Sequence, residues 1–237
     1  MNRAAAMVSG LVFFGCGLAL LFLADLGVGP WDVLHDGLAN RLDRSPGTMI
    51  QVVGALLLVL LVFFRQPLGP ATISNVIIIG LVVNLIMGFA ETPELFGIRL
   101  LMAIASPIVV GFGSMLYLGA GLGVGPRDGL MTTLIERGIG IGKARTLIES
   151  VVFVGGVLLG GSYGLGTLIF TFGVGPSYQF FNHRVWPGWP ESTGRFIYRR
   201  SPHLTKQGFL RLTCSECPKI LSKKILQFSK KWTGVLG

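Results

Sequence analysis

The chain carries one motif twice: residues 24–32 read ADLGVGPWD, and residues 120–128 read AGLGVGPRD, 96 positions further on. Glycine removes side-chain cover and proline lacks a backbone N–H, so each motif predicts the end of one helix and the start of another. Further matches occur at the same spacing or at a spacing of 95: Gly15 with Gly111, Gly17 with Gly113, Gly69 with Gly164, Thr72 with Thr167 and Gly80 with Gly175. These matches indicate two copies of one structural unit.

Composition sets the class of protein. Of the 237 residues, 51% are hydrophobic and 13% are charged, and the mean hydropathy is +0.68. Soluble domains carry roughly 25% charged residues, so this sequence cannot build a water-facing surface. The 16 phenylalanines exclude a disordered chain, and three cysteines do not make the disulfide framework of a small secreted protein. The composition is that of an integral membrane protein.

Long runs without charge predict the membrane-spanning helices, each of which needs about 20 apolar residues. Because the runs are continuous rather than alternating, we expect helices and not a barrel. The uncharged stretch 150–182 is too long for one span, and the Gly-rich turn at 160–164 divides it. The predicted spans are Ala4–Ala24, Ser45–Phe64, Gln66–Ala90, Leu100–Pro126, Ala144–Gly161 and Leu165–Phe181.

The repeat relates spans one to three to spans four to six, so the second copy enters the membrane in the opposite direction. The predicted fold is therefore all-α: a polytopic helical membrane protein whose six transmembrane helices form two inverted three-helix repeats, followed by a basic C-terminal tail. The membrane domain covers residues 1–181, with repeat one at about 4–90 and repeat two at about 98–181, and the tail covers 182–237.

Lys and Arg residues predict the orientation, because cytoplasmic segments carry most of them. With the N-terminus inside, the inner segments before the tail hold six Lys or Arg residues and the outer loops hold three. The tail adds eleven more. Both termini are therefore expected in the cytoplasm. The net charge of +9 belongs to the tail, since residues 1–181 contain nine basic and nine acidic side chains.

Each motif places an acidic residue in the first turn of the helix that it begins, Asp32 after Pro30 and Asp128 after Pro126. One interpretation is a stabilising carboxylate at the positive end of the helix dipole. The other is a broken or re-entrant helix that lines a cavity, where Asp32 and Asp128 bind a cation or a proton. The helix-break residues of the two copies are Gly27, Gly29, Pro30, Gly123, Gly125 and Pro126.

Glu149 is the acid that the predicted fifth span takes into the membrane. An acid at membrane depth is a functional candidate, whereas an i, i+4 pair with Arg145 near the interface would be structural. The candidate substrate- or ion-binding residues are Asp32, Asp128, Glu149, Arg127 and Arg145.

Motifs for metal-dependent proteolysis and phosphate binding are absent from the sequence. It contains no His-Glu-x-x-His pattern, and no Lys-Ser/Thr pair follows Gly123-x-Gly125 as in a phosphate-binding loop. We therefore expect a protein that is not an enzyme, with no catalytic residues, no metal, no cofactor and no nucleic-acid partner. The expected partners are the lipid bilayer and a small solute.

The tail, 182–237, departs in composition from the membrane domain. One face of a predicted helix there is apolar and lies beside five lysines, which indicates a cationic amphipathic helix on anionic cytoplasmic lipids. The alternatives are a disordered tail and an unrelated sequence joined by a frameshift. Cys214-x-x-Cys217 has too few further ligands for structural zinc. The apolar face consists of Leu221, Ile225, Phe228 and Trp232.

Residues 25–33 and 121–131, together with Arg145, Glu149 and the glycine-rich stretch 160–167, resemble the YczE/YyaS/YitT group of bacterial integral membrane proteins, and most closely its YczE branch. The resemblance implies a polytopic helical protein of the bacterial cytoplasmic membrane and carries no established activity. Inverted repeats are common in transporters, so we expect transport or export of a small solute. The alternative is a membrane accessory or regulatory factor that transports nothing.

Overall fold

The computed structural model describes residues 2–184, and every regular element in that range is an α-helix. The predicted all-α architecture is therefore correct for this part of the chain. The expectations for the tail, including its apolar face and its cysteines, lie outside the described residues. The helices are α1 (Arg3–Ala24), α2 (Pro30–Leu42), α3 (Pro46–Phe63), α4 (Pro70–Phe89), α5 (Phe96–Gly119), α6 (Pro126–Glu136), α7 (Ile141–Leu158) and α8 (Leu165–Arg184).

Four of these helices begin at a proline, which suits the first helical position because the N–H that proline lacks would have no intrahelical partner there. α2 and α6 begin at Pro30 and Pro126, directly after the last glycine of each repeated motif. α3 and α4 begin at Pro46 and Pro70. Each repeated motif therefore separates a long helix, α1 or α5, from a short one, α2 or α6.

The apolar surface identifies a membrane protein. Within residues 2–184, α1, α3, α4 and α5 are long and apolar enough to cross a membrane, with mean hydropathies between 1.9 and 2.3. Large apolar side chains on α3 and α4 are exposed, among them Phe63 at 77% and Phe89 at 87%. An apolar surface of this extent is stable in contact with lipid and not with water.

The helix bounds correct several predicted spans. The predicted fourth span, Leu100–Pro126, is two elements, because α5 ends at Gly119 and the motif loop follows it. The third span begins only at Pro70, the last residue of the sequence Leu68-Gly69-Pro70. α7 and α8 occupy the positions of the predicted fifth and sixth spans, but they are not among the four long apolar helices. α8 also continues to Arg184, beyond the predicted end at Phe181.

α1 and α5 form the most extensive helix pair in the described part of the chain. Glycines allow their close approach: a Cβ at Gly10 would lie 2.5 Å from the backbone nitrogen of Tyr117, and one at Gly17 would lie 2.9 Å from that of Val110. Ser106 Oγ donates a hydrogen bond to the Gly17 carbonyl at 2.7 Å inside this interface. Small residues and interhelical hydrogen bonds are typical of helix pairs in membranes.

Two arginines join the ends of α1 and α5. Arg3, at the start of α1, donates from Nε to the carbonyl of Ala120 at 2.9 Å, just after α5. Arg99, near the start of α5, donates from Nε to the carbonyl of Ala24 at 2.8 Å, at the end of α1. Both satisfy carbonyls that have no partner within their own helix. Each helix begins where the other ends, so α1 and α5 run antiparallel.

Removing Arg99 is expected to destabilise the protein more than removing Arg3. Arg99 also donates to the backbone carbonyl and the carboxylate of Asp25, the latter at 2.8 Å. Hydrogen bonds that involve a charged group contribute about 1.5–3 kcal/mol, less where solvent reaches them. We therefore expect Arg99→Ala to lower the free energy of unfolding by about 2 kcal/mol and Arg3→Ala by about 1 kcal/mol. Thermal unfolding in detergent measures both changes.

Arg44→Ala is the control for this comparison, because Arg44 is exposed and has no side-chain bond among the described residues. Its unfolding midpoint should match that of the wild type. Equal midpoints for Arg99→Ala and Arg44→Ala would show that the contacts between helix ends add nothing to stability.

The motif loop of each half, α1–α4 or α5–α8, contacts the start of the last helix in the other half. The N–H of Gly166 in α8 donates to the Leu26 carbonyl at 2.7 Å, and the N–H of Ala71 in α4 donates to the Leu122 carbonyl at 3.2 Å. Leu26 and Leu122 are equivalent in the repeated motif. In addition, α2 packs on α7 and α6 packs on α3. Each motif loop and its short helix are therefore held by the other half of the chain.

Candidate functional site

A cavity of about 320 Å³ is lined by residues of both halves, including Pro30 and Pro126 at the starts of α2 and α6. The sequence allowed either a structural or a cavity-lining position for the duplicated acids, and the structure places both on this one cavity. All of the candidate binding residues predicted from the sequence line it: Asp32, Arg127, Asp128, Arg145 and Glu149.

Asp32 lies at the centre of a buried cluster. Its side chain is fully buried, and His35, one helical turn later, is 1% exposed. Asp32 Oδ1 is 3.1 Å from His35 Nδ1 and accepts a hydrogen bond from Arg127 Nη2 at 3.3 Å. Asp32 Oδ2 is buried and has no hydrogen-bond partner among residues 2–184. Half of this carboxylate therefore has no donor, which is rare for a buried polar group.

Arg127 links the two halves of the chain across the cavity. It belongs to α6, whereas Asp32 and Trp31 belong to α2. Its guanidinium carbon lies 5.2 Å from the centre of the Trp31 ring, within the range of a cation–π interaction. Trp31 and Arg127 are equivalent positions in the two copies of the motif. The repeat therefore places an aromatic face in one half opposite a cation in the other.

Asp128 is the acid of the second motif, and its side chain is exposed while it lines the cavity. Its carboxylate makes no hydrogen bond and no ion pair within residues 2–184. A methyl group at Gly125 would lie 3.6 Å from Asp128 Oδ2, 3.5 Å from the Tyr117 hydroxyl and 3.6 Å from Asn75 Nδ2. Three polar groups from α6, α5 and α4 therefore surround the start of α6.

Arg145 and Glu149 form the i, i+4 pair that the sequence allowed as a structural alternative. Arg145 Nε donates to Glu149 Oε1 at 2.8 Å. The two side chains are 63% and 33% exposed, respectively, and both line the cavity. A pair with this exposure contributes little to stability. The pair therefore adds charged groups at the cavity, and Glu149 is not an isolated acid.

The helix-break residues serve two purposes. Gly27 and Gly123 have φ angles of 97° and 139°, which glycine adopts readily. A Cβ at Gly27 would lie 2.3 Å from the backbone nitrogen of Gly164, and a Cβ at Gly29 would lie 2.8 Å from the Phe170 ring. These glycines permit close packing between the halves. The remaining helix-break residues line the cavity: Pro30, Gly125 and Pro126.

Other cavity residues were not predicted as site residues. His35 could have been found from its position three residues after Asp32, since such residues share a helix face. Tyr117 and Tyr178 lie in apolar stretches where the sequence pattern gives no sign of a cavity. The cavity thus offers carboxylates, two guanidinium groups, an imidazole, an amide, phenol hydroxyls and aromatic faces.

This fold and this cavity define a polytopic helical membrane protein. The chain belongs to the family of unknown function DUF6198, which it matches over residues 1–183. The resemblance to the YczE-like group is confirmed, because two of the relatives described below are named YczE and YyaS. No solved structure matches the chain.

Three relatives cover most of the membrane domain. An uncharacterized protein of Haemophilus influenzae is 32% identical over 176 residues, which make up 74% of this chain and 81% of the relative. The uncharacterized membrane protein YczE of Bacillus subtilis is 26% identical over 188 residues, or 75% of this chain and 87% of YczE. The uncharacterized protein YyaS of the same bacterium is 25% identical over 174 residues, which make up 68% of this chain and 82% of YyaS.

Proposed function

We propose that the protein moves a small solute across the membrane through the cavity between its two halves. The observation that carries this proposal is the convergence of the two motif acids, Asp32 and Asp128, on one cavity. Helices that begin at membrane depth direct the positive ends of their dipoles toward the site, and transporters use such broken helices to hold substrates and ions. The cavity is then a substrate site and the protein is not an enzyme.

The proposal includes six spans in two inverted three-helix repeats. The equivalent helices α1 and α5 run antiparallel, and the arginines that join them, Arg3 and Arg99, are 96 positions apart, as are Ala24 and Ala120. The packing of α2 on α7 corresponds in the same way to that of α6 on α3. A two-fold axis in the membrane plane would relate these contacts, which supports the inverted repeat.

α7 and α8 are the proposed fifth and sixth spans. They begin at Ile141 and Leu165, each 95 positions after the start of α3 or α4. The charged residues Arg145 and Glu149 of α7 line the cavity, which is where membrane helices place ionisable side chains. Both termini would lie in the cytoplasm of a bacterium, with the basic tail 182–237 close to anionic lipids of the cytoplasmic membrane.

The pair between Arg127 and Asp32 gives the proposed cavity a way to respond to its solute. The pair connects α6 to α2, so any separation of these two helices breaks it. A solute that offers its own hydrogen-bond donors to Asp32 would compensate for the lost contact. Because a ligand shifts a conformational equilibrium only by its difference in affinity for the two states, this exchange would couple binding to opening.

Flux into proteoliposomes tests the proposal. The full chain is reconstituted, and the uptake of labelled amino acids, sugars, carboxylates and amines is compared with that of protein-free vesicles. We expect saturable uptake of at least one class of solute. Asp128→Asn should slow that uptake about tenfold, because one weakened charged contact of about 1.4 kcal/mol corresponds to that factor.

Glu94→Gln is the matched control, since Glu94 is an exposed acid in the loop between α4 and α5. It should keep the wild-type uptake rate. Unchanged uptake by Asp128→Asn would remove Asp128 from the mechanism. If no class of solute enters faster than it enters protein-free vesicles, the transport proposal fails and the accessory or regulatory alternative is favoured.

A further inference from the structure

Two carboxylates on the cavity have acceptor atoms without donors. Asp32 Oδ2 is fully buried and unpartnered among residues 2–184. A buried acceptor without a donor is costly, and native proteins rarely retain one without a reason. The exposed Asp128 side chain has no hydrogen bond or ion pair in the same range, so a ligand with several N–H donors could contact both carboxylates.

The Arg127 guanidinium shows what kind of group this environment accommodates. It lies 3.3 Å from Asp32 Oδ1 and 5.2 Å from the centre of the Trp31 ring. A carboxylate combined with an aromatic face is the arrangement that binds organic cations. Arg127 uses one oxygen of Asp32 and leaves the other unpartnered.

The charges on the cavity wall leave one acid unpaired. Arg127 pairs with Asp32, and Arg145 pairs with Glu149. Asp128 is the remaining Asp or Glu on the wall, no third Lys or Arg lines the cavity, and the other basic group of the lining, His35, contacts Asp32. A cationic ligand would restore neutrality, whereas an anionic ligand would add a second unpaired negative charge.

The rest of the lining indicates an organic cation and not a metal ion. Aromatic side chains from α1, α5 and α8 face the cavity, namely Phe14, Tyr117, Phe170 and Tyr178. Among the described residues, no group of three or more His, Cys, Asp or Glu side chains could hold a metal ion. Aromatic walls bind the carbon skeleton of an amine, and they supply no ligands for a hydrated divalent cation.

We infer that the cavity binds a small organic cation, a protonated amine or a guanidinium compound, whose N–H groups contact Asp128 and the free oxygen of Asp32 and whose carbon skeleton packs on the aromatic wall. This inference names the class of solute, and it rests on the proposed function, in which the cavity is the transport site. Arg127 is the internal cation that neutralises Asp32 when the ligand is absent.

Binding of three probes that differ in one group tests the inference. Benzylammonium, benzyl alcohol and benzoate share a ring of the same size and carry a cation, a neutral group and an anion. Equilibrium dialysis against the full chain in detergent should give saturable binding of benzylammonium, with the alcohol and benzoate at least tenfold weaker. Equal binding of the three probes, tighter binding of benzoate, or no saturable binding of benzylammonium overturns the inference.

Variants of Asp128 locate the bound cation. Asp128→Asn should weaken benzylammonium binding about tenfold, while Asp128→Glu, which keeps the charge, should stay within about threefold of the wild type. Glu94→Gln should bind as the wild type does. Size-exclusion profiles and unfolding midpoints show whether each variant is folded. Undiminished binding by a folded Asp128→Asn protein would place the cation elsewhere.

A second variant tests whether a free guanidinium compound binds beside Asp32 and Trp31, where the Arg127 guanidinium lies. Arg127→Ala removes a side chain whose missing part is ethylguanidinium, so this compound should raise the unfolding midpoint of Arg127→Ala more than that of the wild type. An equal effect of ethylguanidinium on both proteins would contradict a cation site between Asp32 and Trp31.

Binding and flux separate this inference from the proposed function. Saturable benzylammonium binding without flux of any amine would leave the cation site standing and overturn transport. Flux of a sugar or a carboxylate without benzylammonium binding would support transport and overturn the cation site.

Discussion

Gly27→Ala is expected to abolish the folded protein. The φ angle of Gly27 is 97°, which a residue with a Cβ rarely adopts. The new Cβ would also lie 2.3 Å from the backbone nitrogen of Gly164 and 2.7 Å from the carbonyl carbon of Tyr163. Both contacts are with backbone atoms, so no side-chain rotation relieves them. The loop would have to leave the start of α8, with loss of the Gly166–Leu26 hydrogen bond.

Size-exclusion chromatography of detergent-solubilised protein measures this effect as the loss of the monodisperse peak. Gly123→Ala, the equivalent change in the second motif, should behave alike, because Gly123 has a φ of 139° and its Cβ would lie 2.9 Å from Thr72 Oγ1. Gly88→Ala in α4 is the control, since no atom lies within 4 Å of its Cβ position. Gly88→Ala should keep the monodisperse peak, and its free energy of unfolding should rise by up to about 1 kcal/mol. A normal peak for Gly27→Ala would mean that the loop does not need this docked conformation.

The sequence predicts where the motif breaks a helix, but not what the motif loop contacts. Glycine followed by proline is a local signal, and α2 and α6 do begin at Pro30 and Pro126. In the sequence, Thr72 and Thr167 could be recognised only as equivalent positions of the repeat. In the structure these threonines accept the N–H of Gly69 and Gly164 and shape the turns that receive the opposite loops. No local rule predicts such a pairing between distant segments.

Arg3 and Arg99 illustrate the same limit. In the sequence analysis these two arginines contributed only to the predicted orientation, which places them on opposite sides of the membrane. Their reciprocal hydrogen bonds to Ala120 and Ala24 depend on the antiparallel packing of α1 and α5. That packing follows from the tertiary arrangement of glycine-lined helix surfaces, which one sequence does not determine.

The candidate site was predictable where acids interrupt apolar sequence. Ionisable residues at a helix break or within a predicted span are unusual in a membrane protein. This criterion identified Asp32 and Asp128 at the breaks and Glu149 within a span. Tyr117 and Tyr178 carry no such signal, because tyrosine is common on any apolar helix face. Their place on the cavity is set by how α5 and α8 are rotated in the bundle, which is a property of packing.

Replacing Arg127 with methionine is expected to lower the free energy of unfolding by about 2–3 kcal/mol, because it leaves the buried Asp32 without its cation. Asp32 is fully buried and keeps the contact with His35 alone. Adding Asp32→Asn to Arg127→Met removes the uncompensated charge, so the double variant should recover at least about 1 kcal/mol. Thermal and denaturant unfolding in detergent measure the wild type, Arg127→Met, Asp32→Asn and the double variant, and this double-mutant cycle gives the coupling energy between the two residues.

The second ion pair of the cavity provides the comparison that isolates burial. Arg145 and Glu149 have the shorter contact, 2.8 Å against 3.3 Å, but their side chains are 63% and 33% exposed, whereas Asp32 is 1% exposed. If distance decided the energy, Arg145→Met would cost more than Arg127→Met. Because water and lipid head groups can solvate the exposed pair, we expect Arg145→Met to cost less than about 1 kcal/mol. A reversed order would show that the burial of Asp32 does not set the energy of its pair with Arg127.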